Sequence, residues 1–83
     1  MPSSPRTFAE TAHRRAFGDR VRELRLARSW SQEDLAEHAG LHRTYVVGVE
    51  RGQRNASLDV IHALAEALEV STGSLFMPSE SSR

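Results

Sequence analysis

Apolar residues recur along the 83-residue chain at the three- and four-residue spacing of helices. Phe17, Val21 and Leu24 give a first helix one apolar face, and this helix is predicted to end near Arg28. Gly18 interrupts it at a cost of about 1 kcal/mol relative to alanine. No segment alternates apolar and polar residues as a half-buried strand does, and no Asn-Gly pair marks a hairpin. The pattern therefore predicts an all-α fold.

Capping residues divide the middle of the chain into two short helices. Ser31, three residues before Asp34, is an N-cap candidate whose hydroxyl can satisfy free amides of a helix start. Glu33 and Asp34 lie in the first turn, where acids favour the positive end of a helix. Gly40 ends this second helix, because glycine tolerates the left-handed conformation found after many helices. A third helix is predicted over about residues 43–51, and Gly52 ends it.

Two further serines open the last predicted helices. Ser57 precedes a fourth helix, whose apolar face is formed by Leu58, Ile61, Leu64, Ala65 and Leu68. Ser71 precedes a short fifth helix that stops before Pro78, because proline lacks a backbone N–H. Together these signals predict a compact bundle of about five short helices.

Both ends of the chain are polar and rich in serine. We interpret residues 1–7 as a disordered arm and residues 77–83 as a flexible tail. The spacing of Thr7 and Glu10 fits a capping box, which places the start of the first helix near residue 8. Residues 8–76 then form one domain, which is all that a chain of this length supports.

The formal net charge is zero, but the charges are unevenly placed. Residues 1–28 carry seven Arg and three acids, and residues 41–56 carry three Arg and one Glu. Residues 29–40 carry three acids and no base, and residues 57–83 carry four acids and one Arg. All eleven basic residues are Arg, which we attribute mainly to genomic GC content. Arginine nevertheless supplies the planar fork that pairs with phosphate and with guanine, and its local placement sets the field that a polyanion meets.

The composition excludes several classes of protein. Without cysteine, the chain holds neither a disulfide nor a thiolate metal site. No run of about 18 apolar residues could span a membrane, and the N-terminus lacks the apolar core of a secretory signal. The four His are scattered, and neither a nucleophile elbow nor a glycine-rich phosphate loop is present. We therefore expect a cytoplasmic protein without enzyme activity, metal, cofactor or small-molecule ligand.

The second and third helices, joined by a turn at residues 39–42, have the pattern of a helix-turn-helix unit. The inner face of the third helix is formed by Leu41, Val46 and Val49. The residues expected to point outward or toward the N-terminal end are Arg43, Thr44, Tyr45, Val47 and Gly48. A helix presented in this way fits the DNA major groove, which is about 12 Å wide, with its first residues at the base edges.

The sequence resembles the prokaryotic Xre/phage-repressor helix-turn-helix family in three segments. These are "FGDRVRELR", "WSQEDLAEHAGLHRTYVVGVERGQRNASL" and "LAEALEV". The resemblance covers roughly residues 15–76, and "SQEDLA", "AGL", "RTY" and "ERG" all stand at the spacing of the family. Within that family, "HRTYVVGVERGQRN" is most similar to the small controller proteins of restriction–modification systems. The resemblance implies a λ-repressor-like DNA-binding domain and a sequence-specific transcription regulator, associated with the nucleoid through double-stranded DNA.

The resemblance also assigns roles to individual positions. The residues implied to contact base edges are Arg43, Thr44 and Tyr45. The residues implied to contact phosphates are Gln32, Arg51, Gln53, Arg54 and Asn55. An ion pair between Arg25 and Glu50 is implied to tie helix one to the end of helix three. For Tyr45 a backbone contact, or packing of its ring on the protein, is an alternative.

The sequence departs from the family at two places. His42 replaces the Ser or Asp that often caps the third helix. Val47 and Gly48 stand where many relatives carry long polar side chains, so we expect greater reliance on DNA shape.

The apolar C-terminal end is interpreted as a two-fold dimer surface formed by Val70, Leu75, Phe76 and Met77. The alternative is that all four pack on the core of their own chain. A single short recognition helix makes few contacts, which favours a homodimer. Its half-sites would lie about 34–36 Å apart on a palindromic operator.

Other interpretations remain open beside this one. Within the class, the alternatives are a phage-type repressor and the antitoxin of a toxin–antitoxin pair. From a different class, the alternative is a protein-interaction module that does not bind DNA. The adjacent Arg14 and Arg15 are interpreted as a solvated face of the first helix, with DNA contact as the alternative.

Overall fold

Four α-helices build the protein in a computed structural model, which describes the backbone of residues 4–80 and the side chains of residues 12–80. These helices are α1 (Ser4–Ala27), α2 (Gln32–Ala39), α3 (Arg43–Glu50) and α4 (Leu58–Leu68). A 3₁₀ helix (Thr72–Phe76) follows them. No strand occurs within residues 4–80, as the helical periodicity predicted.

The predicted number of helices was too high, because residues 4–80 contain four α-helices and not about five. The segment after Ser71 forms only the five-residue 3₁₀ helix. Its first turn is closed by the Ser74 amide, which bonds to the carbonyl oxygen of Ser71 at 3.0 Å and to its hydroxyl at 3.2 Å. Five residues are too few for the successive four-residue hydrogen bonds of a stable α-helix.

The predicted caps position α2 and α4. The Ser31 hydroxyl accepts a hydrogen bond from the Asp34 amide at 3.0 Å, and the Asp34 carboxylate accepts one from the Ser31 amide at 2.8 Å. This reciprocal pair is a capping box. Gly40 ends α2 with φ +69°, and Ser57 caps α4 through the Val60 amide.

The core lies where α1, α2, α3 and α4 meet. The fully or almost fully buried apolar side chains of this cluster are Val21, Leu35, Ala36, Val46, Leu64, Ala65, Leu68 and Leu75. Trp30 packs against it from the turn between α1 and α2, between the Arg28 guanidinium and the His38 ring. The core fixes the orientation of α3 relative to the other helices.

Gly18 permits the close crossing of α1 over the end of α3. A Cβ atom at this position would collide with the carbonyl oxygen of Val49 and would lie 2.6 Å from that of Glu50. Both contacts are with backbone, which cannot move aside cheaply. The glycine that weakens α1 as an isolated helix is therefore required by the packing of α1 on α3.

The ends of the chain differ in part from the predicted arm and tail. Residues 1–3 and 81–83 lie outside the described residues, whereas residues 4–7 belong to α1. In the C-terminal segment Ser79 is buried, and the Glu80 amide donates to the Glu23 carboxylate at 3.0 Å. Residues 79–80 thus contact α1. No helix in the described part of the chain has the length and apolarity needed to cross a bilayer.

Candidate nucleic-acid interface

The N-terminal end of α3 projects from the surface with its first two side chains exposed. Within the described residues, no hydrogen bond or ion pair holds the side chain of Arg43 or of Thr44. His42 occupies the N-cap position without a side-chain hydrogen bond to the helix. The tip of α3 therefore offers an unpaired guanidinium, a hydroxyl and amides that its cap leaves free.

A buried ion pair fixes α3 to the rest of the domain. Arg25 Nε lies 2.7 Å from Glu50 Oε2, and Arg25 Nη2 lies 3.0 Å from Glu50 Oε1. Both side chains are buried, with 8% and 2% of their surface exposed. A third donor, Arg25 Nη1, reaches the Trp30 carbonyl at 2.7 Å. The pair connects α1, the turn before α2 and the end of α3, where the family resemblance placed it.

Gln32 is oriented by the same carboxylate. Its Nε2 atom donates to Glu50 Oε1 at 3.1 Å, while its side chain remains partly exposed at the start of α2. An amide nitrogen carries two hydrogens, so one N–H remains for another acceptor. This is the donor that the predicted phosphate contact requires.

Tyr45 and Arg54 pack together beside the tip of α3. The Tyr45 hydroxyl donates to the Asn55 carbonyl at 2.6 Å. The Arg54 guanidinium carbon lies 5.7 Å from the centre of the tyrosine ring, within the range of a cation–π contact. The ring is half-buried. Tyr45 thus connects α3 to the following loop.

Gly48 does not point outward as its place in the sequence predicted, because it is buried beneath the stem of Arg54. A Cβ atom there would collide with Arg54 Cγ. The Gly48 carbonyl also accepts hydrogen bonds from the amides of Gln53 and Arg54, at 2.8 and 3.2 Å. Val47 is half-buried. A glycine in the middle of a short helix was the available signal for this close packing.

The loop after α3 presents the remaining predicted phosphate-contacting residues on the surface. Its exposed side chains are Arg51, Gln53, Arg54 and Asn55. Gly52 adopts φ +74°, which lets the chain reverse immediately after α3. Gln32, the tip of α3 and this loop are the parts of the candidate interface that the sequence predicted, and each is at least partly exposed.

The four residues of the predicted dimer surface divide into two groups. Leu75 is fully buried in the core of its own chain, so its assignment to a surface was wrong. Val70 is half-buried against the same core. Phe76 and Met77 are 62% and 55% exposed, and the Phe76 ring lies 5.3 Å from that of Phe17.

The family assignment follows from the sequence and the fold together. Residues 21–75 match the helix-turn-helix family. Control protein C.BamHI from Bacillus amyloliquefaciens is 53% identical over 55 residues, which are 65% of this chain and 68% of that protein. This chain belongs to the Xre-like helix-turn-helix family, in which it is similar to restriction–modification controller proteins.

Solved structures agree with this assignment. The controller protein C.AhdI from Aeromonas hydrophila superposes with a TM-score of 0.77 at 55% identity, over 78% of this chain and 98% of that one. The C.Esp1396I controller was solved as a tetramer with its natural 35 base-pair operator. It superposes with a TM-score of 0.70 at 33% identity, over 76% of this chain and 83% of that one.

Proposed function

We propose that this protein is a sequence-specific, double-stranded-DNA-binding transcription regulator that acts as a controller in a restriction–modification system. The observation that carries the proposal is the exposed, unpaired tip of α3 held on a rigid support. A guanidinium at the start of such a helix can donate to both acceptors on the major-groove edge of guanine, and the Thr44 hydroxyl can pair with several bases. The C.Esp1396I controller, of the same family, was crystallised with its operator DNA.

The surroundings of α3 supply sequence-independent contacts. Gln32 on one side and the loop at residues 51–55 on the other present donors to the phosphates that border the groove. Because the Arg25–Glu50 pair fixes the end of α3, these donors are held in register with the helix. In this arrangement Arg43 and Thr44 read sequence, while the flanking residues orient the domain.

A homodimer accounts for the exposed apolar surface at Phe76 and Met77. Phe76 and Met77 border a groove of about 410 Å³ whose other walls include Phe17 and Ala16 of α1. The same patch on a second copy can close over it around a two-fold axis. A dimer doubles the number of contacts, which specific affinity requires, and spaces the two α3 helices for a palindrome. We infer that this regulator acts in the cytoplasm, on the nucleoid, and has no enzymatic role.

Selection of bound sequences from random duplex DNA tests the proposal directly. We expect an enriched palindrome whose half-site centres lie about one helical turn apart, about 34–36 Å. Enrichment of a single asymmetric site would contradict the dimer but not the DNA binding. If no duplex were retained even at low salt, the protein would instead be an interaction module on the same fold.

A further inference from the structure

Four arginines lie on or beside the loop that follows α3. Residues 12–17 of α1 and residues 51–57 contain Arg14, Arg15, Arg51 and Arg54 but no Asp or Glu. Three of these arginines are exposed and Arg14 is half-buried. In a chain with equal numbers of acidic and basic residues, this concentration is a strong local positive charge.

Direct packing brings the N-terminal half of α1 to the loop. A Cβ atom built on Gly52 would lie 3.0 Å from both the backbone nitrogen and the Cα of Arg15. Gly52 therefore permits the loop to pack against α1 at backbone distance. Arg15 and Arg51, which precedes Gly52, are both exposed next to this contact.

Arg14 lies beside the same loop. It lines a cleft of about 140 Å³ together with Arg54 and Asn55. Arg14 and Arg15 thus flank the loop that the proposed function places on phosphates. The match to the helix-turn-helix family covers residues 21–75 and begins after both arginines.

We propose that Arg14 and Arg15 form a second phosphate-binding site, which extends the DNA contact of each subunit beyond the helix-turn-helix unit. The ligand is the phosphate backbone of the duplex that flanks the bases read by α3. This site rests on the proposed DNA binding. It adds affinity without sequence preference, because backbone phosphates are common to all sequences. The charged face of α1 that was interpreted from the sequence as solvated would therefore contact DNA.

The salt dependence of binding tests this site. The double variant Arg14→Gln/Arg15→Gln is compared with the unchanged protein on a fluorescein-labelled duplex of random sequence, long enough for two half-sites. We expect the slope of log affinity against log salt to become shallower by about 0.9 for each phosphate that the variant no longer neutralises. The sequence preference from random-duplex selection should be unchanged. The matched control, Arg14→Lys/Arg15→Lys, keeps both charges and should keep the slope.

Phosphate ethylation interference provides a second readout. Ethyl groups on the flanking phosphates should interfere with binding of the unchanged protein and should have no effect on the glutamine variant. An unchanged salt slope in a folded glutamine variant that still binds DNA would overturn the site and leave the proposed function intact. A weaker dimer in sedimentation, with an unchanged slope, would assign the arginines to the subunit contact instead. Complete absence of DNA binding by the unchanged protein would overturn both proposals.

Discussion

Arg25 and Glu50 form a two-point ion pair in the interior of the domain, with N–O distances of 2.7 and 3.0 Å. Arg25 belongs to α1, and Glu50 is the last residue of α3. Because the remaining donor of Arg25 bonds to the Trp30 carbonyl, one guanidinium connects α1, the turn before α2 and the end of α3. The helix that is proposed to enter the groove is thereby held at its far end.

Removal of one member of this pair should be far more harmful than removal of both. In Arg25→Met the Glu50 carboxylate stays buried without its cation, so the free energy of unfolding should fall by about 3–5 kcal/mol. In Arg25→Met/Glu50→Leu no charge is left buried, and part of that stability should be recovered. Urea denaturation of Arg25→Met, Glu50→Leu and the double variant measures the coupling free energy between the two residues. Simple additivity of the two single effects would show that the pair contributes no coupling.

Substitution of Gly18 by alanine should destabilise the fold although alanine favours helices. The added Cβ would strike the carbonyl oxygens of Val49 and Glu50, both backbone atoms. We expect the cost of this overpacking, about 1–3 kcal/mol, to exceed the gain in helix propensity of about 1 kcal/mol. Thermal and urea unfolding measure the difference.

Gly73→Ala is the matched control for this substitution. A Cβ at Gly73 would meet nothing closer than the Ser71 hydroxyl at 3.9 Å. Its effect should stay within about 0.5 kcal/mol. Equal stability of the Gly18 and Gly73 variants would show that α1 can shift away from α3 without cost.

Arg43 and Arg54 should differ in what their removal does to DNA recognition. Arg43→Ala should weaken binding to the selected operator by about 1–3 kcal/mol and flatten the preference at one base pair. Arg54→Gln should weaken binding to all duplexes alike and reduce the salt slope by about 1. Binding titrations on the operator and on substituted operators distinguish the two outcomes. A uniform decrease in affinity for Arg43→Ala would make that residue a phosphate contact.

Acid should release the C-terminal segment from α1. The hydrogen bond from Arg20, followed by that from the Glu80 amide, lowers the pKa of Glu23 below the ordinary glutamate value. The ionised carboxylate is the form that holds the segment. Its contribution is therefore complete above the ordinary pKa and is lost as the pH falls through the lowered one.

The NMR signal of the Glu80 amide reports this release during an acid titration. Glu23→Ala, which removes the acceptor, should leave the Glu80 amide in its released position at neutral pH. Glu66→Gln, which neutralises an exposed acid on α4, should leave the titration unchanged. A Glu80 amide that does not respond to acid in the unchanged protein would show that the segment is held without the Glu23 charge.

Much of the fold could be predicted because its signals are local. Ser31 with Asp34, Gly40 and Ser57 act on amides or backbone angles within a few residues, and each stands where an element starts or ends. The spacing of apolar residues put Val21, Val46 and Leu64 on the inner faces of their helices, and all three lie in one core. The tip of α3 was also predictable, because the residues at the start of a helix are adjacent in sequence and in space.

Only the tertiary structure decided the interactions between residues that are distant in sequence. Gly18 looked like a weak point of its helix, but the backbone of α3 leaves no room there for a Cβ. Gly48 was expected to point outward, but the stem of Arg54 covers it. Leu75 was expected at a surface and is inside, because the 3₁₀ helix turns it into the core. Local preferences determine where helices begin and end, whereas the packing of one helix on another determines which side chains remain for a partner.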